Sequence, residues 1–116
     1  MKEDLSYVEL GEVANVVMGQ SPASTTIIEM SSQGAFPFLQ GCAEFGDKYP
    51  NANSWCVAPT KVSSGESVLF SVRAPVGKIN LAYDKYCIGR GLASIEPLNA
   101  KDLLFLYYII GFNAGQ

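Results

Sequence analysis

Histidine is absent from the 116 residues of this chain, which removes the commonest general base and metal ligand at neutral pH. The three cysteines, Cys42, Cys56 and Cys87, are odd in number and show no C-x-x-C spacing. Free thiols in a reducing compartment are therefore expected, and no metal or cofactor. Charge is scarce as well. Charged residues make up 16% of the chain, and eight Lys and Arg stand against eleven Asp and Glu, for a net charge of −3. That balance argues against a protein that grips nucleic acid through its overall charge. No apolar run approaches the roughly 18 residues needed to span a bilayer, and the longest, Leu103 to Phe112, is too short. Met1-Lys2-Glu3-Asp4 leads into no apolar signal core, so a cytoplasmic protein is expected. Neither G-x-x-x-x-G-K nor G-x-G-x-x-G occurs, and no serine or cysteine has a recognisable base at motif spacing, so the chain does not read as an enzyme.

What is present is apolar. Hydrophobic residues are 48% of the sequence, enough for one globular domain with a modest core. The few charges are unevenly spread: residues 1–60 carry two lysines against seven carboxylates, whereas residues 61–116 carry six cations against four carboxylates. Ser6 with Glu9 fits a capping box, and Gly11 restricts the expectation to a helical turn around Leu10–Val13. Ala14–Met18 reads as a strand, Gln20–Gly34 as a long polar loop, and Phe36–Gln40 as an extended segment that Pro37 assigns to a sheet edge. Trp55–Ala58 is a short strand, with Trp55 expected in the core. In Ser67–Arg73, Val68, Phe70 and Val72 alternate on one face while Leu69 on the other points to burial on both sides. Strands over Lys78–Tyr83, Tyr86–Ile88 and Leu92–Ile95 follow. A closing helix is capped by Asn99, stopped at Gly111, and apolar nearly all round, which predicts burial on more than one side. The expected class is α+β, a predominantly β domain with a short N-terminal helical turn and a C-terminal helix packed on the sheet.

Two segments concentrate the chemistry. Ser71-Val72-Arg73-Ala74-Pro75-Val76-Gly77 is followed, twelve residues after Gly77, by Gly89-Arg90-Gly91-Leu92-Ala93-Ser94-Ile95. Each places an arginine, the side chain suited to planar recognition of phosphate or guanine, where glycine or proline fixes the backbone. Arg73 has two readings: a phosphate or base contact, or an ion pair with Glu66 or Asp84 that braces the turn. Gly89 and Gly91 either let the backbone around Arg90 approach a ligand or mark a β-bulge. Gln20 has the amide to read adenine and Ser21 the hydroxyl to bind phosphate, against an ordinary solvated turn. Gln40 either reads a base or satisfies a backbone group. Lys78 is solvated or phosphate-facing, and Asn80 is expected to face the same groove. Tyr83 and Tyr86 are stacking candidates for which core or edge packing is the commoner use.

These segments, with Val8-Glu9-Leu10-Gly11-Glu12-Val13, Gly19-Gln20-Ser21-Pro22, Pro37-Phe38-Leu39-Gln40-Gly41, Gly65-Glu66-Ser67-Val68-Leu69-Phe70 and Leu104-Phe105-Leu106-Tyr107-Tyr108, follow the order found in type I restriction–modification systems. Over almost its whole length the chain resembles the target recognition domain of their DNA specificity subunit. The resemblance implies a non-catalytic module that reads one half of a bipartite double-stranded DNA target for modification (methyltransferase) and restriction subunits. It also implies that residues 1–116 form a single, incomplete recognition domain, because the family continues beyond the position of Gln116. Two other classes stay open at this point: a non-DNA interaction module that docks through its apolar end helix, and the recognition fragment of a fused restriction–methyltransferase.

Overall fold

Val68 and Leu69 are adjacent in sequence and both fully buried, so the strand that carries them must be covered on both faces. A computed structural model, which describes residues 14–113, shows how. Among the described residues eight strands are formed: β1 (Ala14–Met18), β2 (Ile27–Ile28), β3 (Phe36–Leu39), β4 (Trp55–Cys56), β5 (Ser67–Ser71), β6 (Ile79–Ala82), β7 (Cys87–Ile88) and β8 (Leu92–Pro97). A 3₁₀ turn over Ala100–Asp102 leads into one helix, α1 (Leu103–Asn113). The expected turn around Leu10–Val13 lies outside the described residues.

The larger sheet has the order β1-β8-β5-β6 and is antiparallel throughout. Its register sets Val16 opposite Ile95, Val68 opposite both Ile95 and Leu81, and Leu69 opposite both Ser94 and Asn80. Period-two alternation then sorts the side chains. Ala14, Val68, Ile79, Leu81 and Ile95 face α1, whose Leu103, Leu106 and Ile110 pack on them. Leu69, Ala82 and Leu92 face the opposite way and meet Leu39 and Ile88 of the smaller sheet. That sheet, β2-β4-β3-β7, is antiparallel except for the parallel pair β3–β7, in which Phe38 lies beside Cys87 and Leu39 beside Ile88. The layers are helix, larger sheet, smaller sheet, as the expected fold class requires.

Several local expectations are corrected. The Gln20–Gly34 segment is not loop throughout: Ser24–Thr26 forms a 3₁₀ turn and Ile27–Ile28 pairs with β4, giving two apolar side chains a partner surface. β3 lies between β4 and β7 rather than at an edge. Pro37 is tolerated there because the Phe38 amide donates to the Ser54 carbonyl (2.9 Å) and the pairing alternates, while pairing with β7 begins only at Phe38. Proline thus occupies a position with no donor to lose. Trp55 is half-buried rather than core. The strand expected over Trp55–Ala58 ends at Cys56, and the one expected over Ser67–Arg73 ends at Ser71.

The helix departs most from expectation. Asn99 does cap it, its side chain accepting from the Lys101 amide at 3.2 Å. Gly111, however, is inside α1 rather than its stop, and a Cβ there would come within 2.8 Å of Ile79 Cδ1. The glycine lets the helix approach β6 closely. Only one face of α1 is buried, and Leu104, Phe105, Tyr108, Ile109 and Phe112 are exposed, Phe105 to 69% and Phe112 to 82%. Among the described residues no helix is long and apolar enough to cross a membrane.

Candidate nucleic-acid interface

The sheet order brings separate stretches of sequence to one end of the molecule. β1 runs on past Met18, the Gly19 amide donating to the Leu92 carbonyl (2.8 Å) and the Gln20 amide to the Ile88 carbonyl (3.0 Å). β3 runs on beside β7, with Gly89 N–H donating to Leu39 (2.8 Å) and Gly91 N–H to Gln40 (3.1 Å). β5 continues beside β8 through a bond from the Val72 amide to the Gly91 carbonyl at 2.9 Å. Gly19–Ser21, Gln40–Gly41, Val72–Gly77 and Gly89–Gly91 therefore meet.

Steric room explains the glycines. A Cβ at Gly19 would lie 2.0 Å from the Gly89 carbonyl oxygen, one at Gly91 2.8 Å from the Gln40 carbonyl oxygen, and one at Gly89 2.8 Å from Gln40 Oε1. None of the three needs positive φ, which among the described residues occurs only at Gly34 and Gly77. Gly89 and Gly91 are buried and packed on Gln40. Beside the two readings taken from the sequence, approach to a ligand or a β-bulge, the structure shows a packing role: these glycines bring three pieces of backbone to one another.

Between them lies Arg90, exposed at the tip of a turn closed by the Leu92 amide on the Gly89 carbonyl (3.2 Å). Ser21 holds this turn, its Oγ accepting from the Arg90 amide at 3.3 Å. The same hydroxyl sits 3.2 Å from Gln40 Nε2 and 3.3 Å from Oε1, near enough to accept from the first or donate to the second. Ser21 and Gln40 thus form a clasp across the loops, and Gln20 is exposed beside it.

Arg73 is exposed on a turn tied down by Ser71, a fully buried residue that reading the sequence left without a role. Ser71 Oγ donates to the Pro75 carbonyl (2.6 Å) and accepts from the Lys78 amide (3.0 Å), and its carbonyl accepts from Gly77 (3.0 Å). Gly77 at φ +98° supplies the left-handed residue that closes the turn, and the Ala74–Pro75 peptide bond is cis. Its signal was a serine opening a proline- and glycine-bearing turn, the setting in which hydroxyls bond local backbone. No ion pair between Arg73 and Glu66 or Asp84 is formed, so the expected bracing role has no partner among the described residues.

Asn80 is corrected. It is 1% exposed and turned inward, Oδ1 accepting from the Gly46 amide (2.9 Å) and Nδ2 donating to the Gly46 (3.1 Å) and Ile79 (2.6 Å) carbonyls. It pins the 44–51 loop over the outer edge of β6, where Leu81 N–H also donates to Lys48 (2.7 Å). Lys78 is exposed and lines a groove of about 440 Å³ together with Cys42, Phe45, Asp47, Pro75 and Asn80. Tyr83 is exposed and tilts against Tyr49, ring centroids 5.9 Å apart. Tyr86 is half-buried, and burial raises its phenol pKa, with the Asp84 carboxylate adding to the shift.

Comparison with known proteins places this arrangement. Residues 2–114 match the family of the type I restriction modification DNA specificity domain. The chain belongs to that family. Over 113 residues it is 46% identical to a protein of Methanocaldococcus jannaschii described as the MjaX type I restriction enzyme specificity subunit, covering 95% of this chain and 26% of that protein. The crystal structure of the HsdS subunit from Thermoanaerobacter tengcongensis superposes with a TM-score of 0.76 at 44% identity, covering 92% of this chain and 28% of the other. The S subunit of a type I restriction-modification system from M. genitalium, at 20% identity, shares the fold with a TM-score of 0.65 over 90% of this chain and 25% of the other. The chain therefore spans about a quarter of the length of these relatives. Members of this family are specificity components, and no catalytic family is indicated.

Proposed function

We propose that this chain is a DNA recognition module of a type I restriction–modification specificity subunit. It reads one half of a bipartite double-stranded target for modification and restriction subunits, does no chemistry itself, uses no cofactor, and acts in the cytoplasm. What supports this reading is the gathering of Gln20, Ser21, Gln40, Arg73, Lys78 and Arg90 at one end of the sheets in a protein of this family. Gln20 and Gln40 are both exposed amides that offer donors and acceptors to a base edge, and the arginines offer donors to bases or phosphates. Ser21, Gly89 and Gly91 set the shape of that surface from behind, and Asn80 supports it from inside.

Selection from random duplex DNA at about 50 mM salt, where phosphate contacts are least screened, tests the proposal. Enrichment of a short half-site is the expected result. A folded chain that enriches nothing overturns the reading for this chain by itself. The exposed apolar face of α1 favours a second reading, an interaction module that docks on a protein through Leu104, Phe105, Tyr108, Ile109 and Phe112. Partner binding that tolerates high salt and is lost in Phe105→Asp, with no DNA enrichment, would establish that alternative.

A further inference from the structure

Arg73 and Lys78, five residues apart on one turn, and Arg90, twelve residues further on, stand at the ends of three neighbouring strands. β8 begins at Leu92, β5 ends at Ser71 and β6 begins at Ile79, and these ends are adjacent because Ser71 pairs with Leu92 and Phe70 with Ile79. Arg90 lies two residues before β8, Arg73 two residues after β5, and Lys78 one residue before β6. The Val72–Gly91 bond (2.9 Å) and the bonds joining Ser71 to Lys78, with the Ser71 amide on the Lys78 carbonyl at 2.9 Å, carry the ladder past the strand ends on both sides of β5. With neighbouring strands about 4.8 Å apart, the three positions span roughly 10 Å across the end of the sheet.

All three side chains are exposed, and none forms an ion pair or side-chain hydrogen bond among the described residues. Asp47 lines the same groove as Lys78 without an ion pair to it, and Glu44 Oε1 accepts from the Gly41 amide at 3.4 Å. Like charges on adjacent strand positions repel, so a row of three without intervening acids is favoured by an anion laid along it. Each is anchored through its backbone: Arg90 by Ser21, Arg73 by the Ser71 turn, and Lys78 by Ser71 Oγ.

We infer that Lys78, Arg73 and Arg90 form a rail for consecutive phosphates of one nucleic-acid strand, a grip that is independent of base sequence. The inference rests on the reading of the chain as a DNA recognition module, and it divides the labour within that site. The rail supplies affinity and register, and base discrimination falls to other exposed groups such as Gln20.

The test measures binding of the full chain to its selected duplex and to unrelated duplexes over a range of salt. Lys78→Ala, Arg73→Ala and Arg90→Ala should each weaken binding to all duplexes by the same factor. Each should lower the slope of log K against log[salt] by about 0.9, the value for one phosphate contact, and each should select the same half-site as the unaltered protein. Lys101→Ala, beyond the far end of β8, should change none of these. A variant that selects a different half-site is a base reader, and one that leaves the slope unchanged makes no phosphate contact; either result overturns the rail. A second measurement does not depend on DNA binding: titration with inorganic phosphate, followed by NMR of the Arg73 and Arg90 Nε–H groups. Saturable shifts at both, weakened at Arg73 and Arg90 in Lys78→Ala, support the rail even where selection from DNA fails. No shift at either overturns it even where the chain selects a half-site.

Discussion

In the larger sheet, strands of four to six residues pair with their neighbours at four or five positions, whereas the smaller sheet is built from strands of two or four residues that pair at two. The first is covered on one side by α1 and on the other by the smaller sheet. The second holds its place through that shared layer and through strand extensions: Gly89 onto Leu39, Gly91 onto Gln40, Gln20 onto Ile88. The difference teaches where function sits. A long, regular ladder offers a fixed base, and the short strands laid over it turn their loops toward one end. The residues with chemistry lie in those loops and at the ends of the longer strands. Rigid elements beneath a loop site are what keep its geometry.

Mutations at the layer shared by the two sheets should have the largest effect. Leu69 and Leu39 are both fully buried there, one from each sheet, and Leu→Ala at either should cost about 2–5 kcal/mol. Denaturant unfolding followed by Trp55 fluorescence and by far-UV circular dichroism reads the result. Coincident transitions with similar losses mean that the two sheets unfold together; a separate early transition for Leu39→Ala would mean that the smaller sheet is an independent, weaker unit.

Gly19→Ala comes next. Its Cβ would overlap the Gly89 carbonyl, so two strand extensions must part, at about 1–3 kcal/mol. Gly65→Ala is the counterpart: its Cβ meets nothing within 4 Å, and its stability should stay within about 0.5 kcal/mol of the unaltered protein. Equal effects at the two glycines would refute the packing explanation for Gly19. Asn80→Ala removes the clasp on Gly46, leaves that residue's amide and carbonyl without their side-chain partner, and should cost about 1–3 kcal/mol. Hydrogen exchange should quicken at the Gly46 and Leu81 amides and stay slow at the Leu92 amide, on the other side of β5.

The effect that is smallest at neutral pH is one of pH itself, and it grows only in alkali. Cys87 is fully buried next to Cys56, and burial chiefly, with the Cys56 thiol adding to it, pushes the Cys87 thiol up from 9.0 to about 12. The folded state then keeps a proton that the unfolded state releases. Stability from this thiol is complete below pH 9.0 and is lost as the pH rises toward about 12. Replacing Cys87 with alanine should flatten the alkaline fall in stability. In the folded protein at pH 8, alkylating reagents should label Cys42, which is partly exposed, ahead of Cys56 and Cys87.

Much of the larger sheet could be read directly. β1, β5, β6 and β8 were expected close to where they form, because strand periodicity and apolar runs mark a ladder buried on one or both faces. β2 was missed: two isoleucines in a Ser- and Thr-rich stretch carry no period, and only the presence of β4 makes them a strand. The candidate site was legible as motifs but not as geometry. Gln20, Arg73, Lys78 and Arg90 are exposed where the sequence suggested a contact surface, whereas Asn80 sits inside, and Gly89 and Gly91 serve packing. A side chain's direction follows from strand parity and from what covers each face, and the loop that claims Asn80 comes from more than thirty residues earlier in the chain.

By itself the sequence determined the strands of the main ladder and the capped helix, which depend on residues within a few positions of one another, and the fold class and family, which follow from the order of such segments along the chain. Tertiary structure decided which end of the sheets gathers the polar and basic loops. It also decided that α1 buries one face rather than two, and that Arg90 stands beside the turn that carries Arg73 and Lys78. Those outcomes depend on strand order and register, which are fixed only when non-local segments compete for the same buried surface.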